Sequence, residues 1–369
     1  MTTDTTETTR RRVLSGSLAT GALGLAAPYL IRPAHAQGGE VNVWTYSGFV
    51  TDDFVQKFTA DTGLRVNTRL VSDQGEQFNL MVAEQGQHSA DIVCVAGHRF
   101  YQFVDGGLLS PIDLDKLTGW SQVETEFANA EWVSRRGQIW GVPLVVVSSG
   151  LIYNSDEMER PDSLGVMFDP AWAGRTTYQL QDFFPLVMNF LGFDGTARSY
   201  AHDPEIAQRA VNATRDFLIA NKGQVRRYYD SATEVTQMMV QGDVAIAAGS
   251  SGPAAQLRLG GFPVGYVIPR EGGLAYAYGF NVTANARNMD NAYTFLNALL
   301  ASPENGAEVV RTTGFNSAIK GVEGLLSEDL RAVLSLPAEE RARLTWVDVE
   351  TAAFIFDLID VAAEEIRAA

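Results

Sequence analysis

Residues 269–282 read PREGGLAYAYGFNV and combine three aromatic side chains with very small neighbours. Alternate residues of a strand point to the same face. We therefore predict that Tyr276, Tyr278 and Phe280 point one way and the alanines and glycine between them the other. The small face lets the backbone pass close to another segment, and the flanking glycines suit a hinge. We interpret the stretch as a hinge strand whose rings face a gap between two lobes; the alternative is a buried aromatic stripe.

A second long apolar strand is predicted upstream, at 141–149, within GQIWGVPLVVVSSGLIYNSD. It is long enough to leave one lobe and enter another. Before it, strands and helices alternate through EVNVWTY, TDDFVQKFTADTG, LRVNTRLV, EQFNLMVAEQG and ADIVCVAG. After about residue 150 the alternation starts again. This pattern predicts an α/β fold with a mostly parallel sheet and helices on both faces, and a chain of 369 residues has room for two domains.

Two helices in the first half carry recognisable signals. Thr51 suits the N-cap of the helix in TDDFVQKFTADTG and Gly63 suits its end. In EQFNLMVAEQG, the spacing predicts that Phe78, Met81 and Val82 share one face of a helix. Ligands of such sheets lie beyond the carboxyl ends of the strands. Those ends are the loops around 46–49, 73 and 96–98.

The composition limits the partners of the chain. The formal net charge is −16, with 46% hydrophobic residues. An acidic surface repels phosphate backbones and anionic lipid headgroups. We therefore predict a globular protein that binds neither nucleic acid nor a membrane surface.

Residues 1–36 have the features of an export signal. Three arginines at 10–12 precede a weakly apolar run from 13 to 31, and Ala34-His35-Ala36 forms a cleavage signal. The paired arginines predict twin-arginine export, with an ordinary secretory signal as the alternative. The mature chain, from about Gln37, is predicted to be periplasmic.

Catalytic and metal-binding signatures are sparse. The three histidines beyond the signal, His88, His98 and His202, are too scattered for a zinc site, and no phosphate-binding loop is present. The single cysteine, Cys94, lies in an apolar strand and is predicted to be a buried, inert thiol. We therefore expect no metal, no cofactor and no enzymatic activity. The alternative is an exported enzyme that uses Cys94 and His98.

Several segments, in the same order along nearly all of the mature chain, resemble periplasmic spermidine/putrescine-binding proteins of ATP-driven importers. They are FTADTGLRV, GGLLSPIDLDKL, IWGVPLVVVSSGLIYNSD, NFLGFDG, VQGDVAIAAGSSG and the stretch from PREGGLAYAYGFNV to TTGFNSA. The resemblance implies a type II periplasmic-binding-protein fold, in which two lobes with mixed sheets close over one ligand at the hinge. It implies lobe 1 at 37–147 plus 280–318 and lobe 2 at 148–279 plus 319–369. It also implies a monomer that delivers its ligand to an inner-membrane permease.

The resemblance implies a set of ligand contacts. Tyr46 and Phe49 match two aromatic residues after the first strand, and Tyr276 and Phe315 match two further rings. Asp182 stands where the family has a carboxylate that pairs with an amine. Aromatic walls of this kind hold ammonium groups through their ring faces. The candidate ligand-binding residues are Tyr46, Phe49, His98, Asp182, Ser250, Tyr276, Tyr278 and Phe315.

Other positions depart from the family. Gly48 and Tyr278 stand where the family has acids, and a further acid is lost near Gln179. The remaining departures are Ser250 for a tryptophan, Val347 for a glutamine and His98 for a tyrosine. One retained carboxylate neutralises one amine. Asp230 is either a second acid or a solvated loop residue. The leading ligand class is a polyamine or related amine; the alternatives are a monoamine, an amino-acid derivative or a neutral solute.

Overall fold

The computed structural model describes residues 39–71, 74–84, 89–200 and 203–369. The predicted signal peptide lies outside the described residues, as do Asp73, His88 and His202. The strands are β1 (Glu40–Thr45), β2 (Arg65–Leu70), β3 (Ile92–Ala96), β4 (Ser134–Arg135), β5 (Gln138–Ile139), β6 (Val142–Asn154), β7 (Thr176–Tyr178), β8 (Ile246–Ser250), β9 (Val264–Val267), β10 (Gly273–Val282), β11 (Asn316–Ser317) and β12 (Leu344–Trp346). The α-helices are α1 (Asp52–Thr62), α2 (Gln74–Ala83), α3 (Phe100–Asp105), α4 (Leu180–Phe190), α5 (Pro204–Ala220), α6 (Ala232–Val240), α7 (Ser251–Leu259), α8 (Met289–Leu300), α9 (Pro303–Thr313), α10 (Glu328–Leu334), α11 (Ala338–Arg341) and α12 (Ala352–Ala368).

Helix α1 begins and ends where its sequence predicts. The Thr51 side chain accepts a hydrogen bond from the Phe54 amide at 3.3 Å. Gly63 adopts a left-handed conformation with φ 74°, and its amide donates to the Thr59 carbonyl. A side chain at the N-cap and a glycine after the last turn satisfy backbone groups that the helix itself leaves without partners. The predicted N-cap and end are therefore confirmed.

Helix α2 buries a face that only partly matches the predicted apolar face. Met81 is buried and Phe78 packs against the same core, but Val82 is 47% exposed, so the predicted apolar face is only partly buried. The inward face carries Gln74 and Gln77 together with Met81, at helical spacing. The Gln74 amide oxygen accepts a hydrogen bond from the Ala96 backbone amide at 2.8 Å. The spacing of apolar residues does not reveal this inward face of α2, because two glutamine side chains form part of it.

The main sheet has the strand order β2-β1-β3-β10-β6-β8-β7, with β9 and β11 pairing with β6 and β12 pairing with β10. Strand β1 pairs in parallel with β2 and β3, and β7 pairs in parallel with β8. Strands β10 and β6 are antiparallel to each other, and β10 is antiparallel to β3. The sheet is therefore mixed, as the two-lobed fold implies, and the mostly parallel sheet predicted from the alternation is wrong. Strand direction depends on distant pairing partners, which local patterns do not show.

Strands β6 and β10 run through both halves of the sheet. Over Val142–Ser149, β6 pairs with β10, and from Ser149 to Tyr153 it pairs with β8. The predicted strand at 141–149 is therefore confirmed and extends to Asn154. Strand β6 therefore connects the two halves of the sheet through its pairing with β10 and β8.

Helices pack on both faces of the sheet, as predicted. On β1, Val43 points into a core with α1 and α8, whereas the neighbouring Trp44 points into a separate core with α3. In the other half of the sheet, Phe183 of α4 and Ile359 of α12 belong to a further core. Alternate burial on the two faces is what the period of a strand requires.

A buried carboxylate joins β1 to the start of α8. Asp91, fully buried, accepts hydrogen bonds from the backbone and side-chain amides of Asn42, at 2.9 and 3.1 Å. It also accepts hydrogen bonds from the backbone and side-chain amides of Asn288, at 2.9 and 3.1 Å. These contacts hold together the strands whose carboxyl ends carry residues 46–49 and 97–99.

Candidate functional site

Four of the predicted aromatic residues meet at the carboxyl end of β1. The Tyr278 ring on β10 lies 5.2 Å, centroid to centroid, from the rings of both Tyr46 and Phe49, edge to face in each case. Phe49 in turn lies 6.2 Å from Phe315, which precedes β11. Together with Tyr276 we call these residues the aromatic cluster. Edge-to-face contacts at these distances are the favoured geometry of aromatic pairs.

Tyr276 connects the cluster to His98. Its ring lies 5.9 Å from that of Tyr278 and 6.2 Å from that of His98. His98 also lies 4.9 Å from Phe356 of α12. Tyr276 and Tyr278 are half-buried, whereas Phe280 is fully buried. The aromatic stripe is thus core at Phe280 and accessible at the two tyrosines.

Asp182 lies beside Tyr276, in the first turn of α4. The Tyr276 hydroxyl donates a hydrogen bond to Asp182 Oδ2 at 3.3 Å. Burial raises the pKa of the Asp182 carboxyl to about 6, and the hydrogen bond from Tyr276 offsets part of that rise. Among the described residues, no basic side chain forms an ion pair with this carboxylate.

Four tyrosines share the surroundings of Asp182. Burial raises the pKa of Tyr229, Tyr276 and Tyr278, and the negative charge of Asp182 makes a smaller contribution in the same direction. Burial and the Asp182 charge also raise the pKa of Tyr266, against a hydrogen bond with Ser148 that lowers it. All four phenols therefore stay neutral at physiological pH. The site presents one carboxylate among neutral hydroxyl groups and electron-rich rings.

Two serines lie next to one another on the neighbouring strands. Ser250, at the end of β8, is directly opposite Ser149 of β6. The Ser149 side chain is fully buried, and its hydroxyl has no hydrogen-bond partner in the described part of the chain. Tyr276 of β10 is opposite Val147 of β6. Val147 and Ser149 are two residues apart on β6, so their side chains point to the same face of the sheet. Tyr276, Ser149 and Ser250 therefore share that face. Ser149 was not predicted from the sequence; the signal was its hydroxyl within the apolar run VVVSSG.

Other residues from the comparison with the family do not join the cluster. Asp230 lies at the surface, where its carboxylate accepts a hydrogen bond from Arg367 at 2.7 Å, so it is a solvated acid rather than a second site carboxylate. Gly48 adopts φ 84°, and a Cβ there would meet Thr312 at 2.9 Å. Gln179 precedes α4 without capping it through its side chain.

A cavity of about 840 Å³ adjoins the aromatic cluster and extends over residues of β6 and β10 whose side chains face away from it. Ala275, Ala277 and Val146 form its floor, and Trp132 and Trp346 lie in its wall. The rings of the two tryptophans are nearly parallel, with an interplanar angle of 13° and centroids 6.1 Å apart. Two of the eight predicted ligand-binding residues, His98 and Tyr276, also line the cavity, as does Val347, which stands where the family has a glutamine. This space was not predicted from the sequence, because it is built from segments that are distant along the chain.

The alternative reaction centre is not formed. Cys94 is fully buried in the core, and burial raises the pKa of its thiol well above its usual value, so the thiolate is not available.

Across residues 39–71, 74–84, 89–200 and 203–369, no group of acidic, histidine and cysteine side chains is arranged to hold a metal ion. None of the helices in these ranges has both the length and the apolar character that a membrane crossing needs.

The chain is similar to proteins of known function. The family described as bacterial extracellular solute-binding protein matches residues 53–331. The putrescine-binding periplasmic protein PotF of Escherichia coli (strain K12) is 24% identical over 372 residues, which cover 92% of this chain and 94% of that protein. The spermidine/putrescine-binding periplasmic protein of the same organism is 23% identical over 319 residues, covering 85% and 86%.

Solved structures share the fold. The spermidine/putrescine transporter substrate-binding protein PotD from Streptococcus pneumoniae matches with a TM-score of 0.71 at 20% identity, covering 89% of this chain and 99% of that one. The periplasmic binding protein AfuA from Actinobacillus pleuropneumoniae, with bound fructose-6-phosphate, matches with a TM-score of 0.67 at 15% identity, covering 90% and 100%. One two-lobed fold thus carries chemically different ligands. With its family matched over most of its length, the chain belongs to the bacterial extracellular solute-binding proteins and is a binding protein rather than an enzyme.

Proposed function

We propose that the protein is the periplasmic component of an ABC importer and captures a small cationic amine, of the polyamine class or related to it. The observation that carries this proposal is Asp182, a carboxylate with a raised pKa and one hydrogen-bond donor, Tyr276. A partly buried carboxylate without a cation is costly. An ammonium group of the ligand supplies the missing charge.

The aromatic cluster supports the same class of ligand. A cation over the face of a tyrosine or phenylalanine ring is attracted by the ring's negative face, and alkyl groups pack on the same surface. Tyr276 bonds to Asp182 and also contacts Tyr278, so the carboxylate and the rings form one continuous surface. The names of similar proteins, which bind putrescine or spermidine, agree with this chemistry.

We propose that lobe 1 (37–147 plus 280–318) and lobe 2 (148–279 plus 319–369) close over the ligand. Asp182 belongs to lobe 2 and the turn after β1 to lobe 1, so a ligand that contacts both holds the lobes together. The permease then recognises the closed monomer. Residues 1–36, with their paired arginines, direct export through the twin-arginine pathway.

A thermal unfolding screen tests the ligand class. Putrescine, spermidine, butylamine and 4-aminobutan-1-ol are compared with succinate and fructose-6-phosphate as anionic controls. An amine that binds is expected to stabilise the protein by about 2.7 kcal/mol at a hundredfold excess over its Kd, whereas the anions have no effect. Stabilisation by an anion and by none of the amines would contradict the proposal.

Amine binding is expected to weaken below pH 6. Protonation removes the charge of Asp182, whose pKa is about 6 in the ligand-free protein. The ligand ammonium keeps its charge in this range, so the Kd should be about tenfold higher at pH 5 than at pH 8. Isothermal titration at both pH values measures the change. A Kd that is equal at pH 5 and pH 8 would show that Asp182 is not the counter-charge.

A further inference from the structure

Within the proposed function, on which this inference rests, we propose a narrower ligand class. The ligand carries one ammonium group, held by Asp182, and one neutral hydrogen-bonding group, held by Ser149 and Ser250. A small amino alcohol has this chemistry, and a diamine does not.

The charge of the site limits the ligand to one cation. Asp182 is the carboxylate whose charge acts on Tyr229, Tyr266, Tyr276 and Tyr278, and these phenols stay neutral. The alternative acid from the family comparison, Asp230, bonds to Arg367 at the surface. A second ammonium group placed at Ser149 and Ser250 would lose its hydration without gaining a negative partner from these two side chains.

The second contact comes from Ser149. Its hydroxyl is fully buried and has no hydrogen-bond partner in the described ranges, which costs free energy in the ligand-free protein. Ser250, directly opposite on β8, brings a second hydroxyl to the same face of the sheet. Helix α4, which carries Asp182, packs against β8 and β10 on either side of β6. A hydroxyl group of the ligand can both donate to and accept from these serines without adding charge.

The aromatic cluster leaves no space for the ligand between Tyr46, Phe49 and Tyr278. Tyr278 lies 5.2 Å from Tyr46 and from Phe49, so its ring fills the space between them. Phe49 is 3% exposed. The body of a ligand held by Asp182 and the two serines therefore packs beside Tyr276 and not between Tyr46, Phe49 and Tyr278.

The test compares ligands that differ at one end only. Amino alcohols of two to five carbons are titrated against diamines and alkylamines with the same number of carbons, by isothermal titration at pH 7.5. The best amino alcohol is expected to bind at least about tenfold more tightly than its matched diamine and alkylamine. A diamine that binds as tightly as its amino alcohol overturns the inference. If no member of the three series binds, the proposed amine function fails as well, so the two failures are distinguishable.

Ser149→Ala separates the role of the hydroxyl from general packing. Because the hydroxyl has no partner within the described residues, the variant is expected to fold at least as stably as the parent. It should bind the alkylamine with unchanged affinity and lose the preference for the amino alcohol. Ser110→Ala is the matched control, because the Ser110 hydroxyl already donates a hydrogen bond to the Thr283 carbonyl. This variant should keep the preference for the amino alcohol. A preference that survives in Ser149→Ala overturns the assigned contact.

Discussion

Replacing Asp182 with asparagine should abolish amine binding and at the same time stabilise the ligand-free protein. Neutralising one partner of a buried charge pair costs about 2–5 kcal/mol of binding, which is roughly a 30- to 4,000-fold rise in Kd. The folded pKa of about 6 lies above the ordinary value of 3.8. The charged carboxylate therefore destabilises the folded state above pH 6, and this effect disappears as the pH falls towards 4. Removing the charge should raise the free energy of unfolding at pH 7.5 by about 1–3 kcal/mol.

Titration calorimetry and urea unfolding measure the two effects separately. Asp230→Asn is the matched control, because Asp230 is exposed and bonds to Arg367. It should bind amines as the parent does. Unchanged amine affinity in Asp182→Asn would remove Asp182 as the counter-charge, and a loss of stability would show that the carboxylate is a structural group.

Asp91→Ala should strongly destabilise the folded protein. The change leaves four amide donors of Asn42 and Asn288 without their common acceptor in the interior. Buried donors without partners and a lost hydrogen-bonded charge together cost about 3–5 kcal/mol. Urea unfolding followed by circular dichroism should show a lower midpoint, with the slope unchanged.

An exposed aspartate gives the comparison for Asp91. Asp61 forms an i,i+4 ion pair with Lys57 on α1 at 3.5 Å, and its side chain is 65% exposed. Asp61→Ala should change the free energy of unfolding by less than about 0.5 kcal/mol. If Asp91→Ala has an equally small effect, water replaces the carboxylate without loss and the contacts are not structurally important.

Local signals in the sequence predicted individual elements well. Thr51 and Gly63 set the limits of α1 because a cap depends on a few adjacent residues. The apolar length of β6 showed that a strand passes through both halves of the sheet. The direction of β10 relative to β3 was not predictable, because the two strands lie far apart in sequence.

The site was predictable to a smaller extent. Tyr46, Phe49 and Phe315 were identified from the resemblance to a family, and Tyr276 and Tyr278 from the alternation along their strand. The structure brings the five rings together. The hydroxyl of Ser149, unpaired within the described residues, was not identified, because satisfaction of a hydrogen bond depends on every atom around it. The same reason explains the face of α2, where a glutamine rather than valine points inward.

The tryptophan stack behind β6 and β10 provides an intrinsic optical probe. Trp132 and Trp346, two of the six tryptophans, come from segments assigned to different lobes and lie with centroids 6.1 Å apart. Closure of the two proposed lobes is expected to change the spacing of these indoles, because each indole belongs to a different proposed lobe. Indole emission depends on stacking and on water contact. Fluorescence of the unlabelled protein is therefore expected to report the proposed closure in real time.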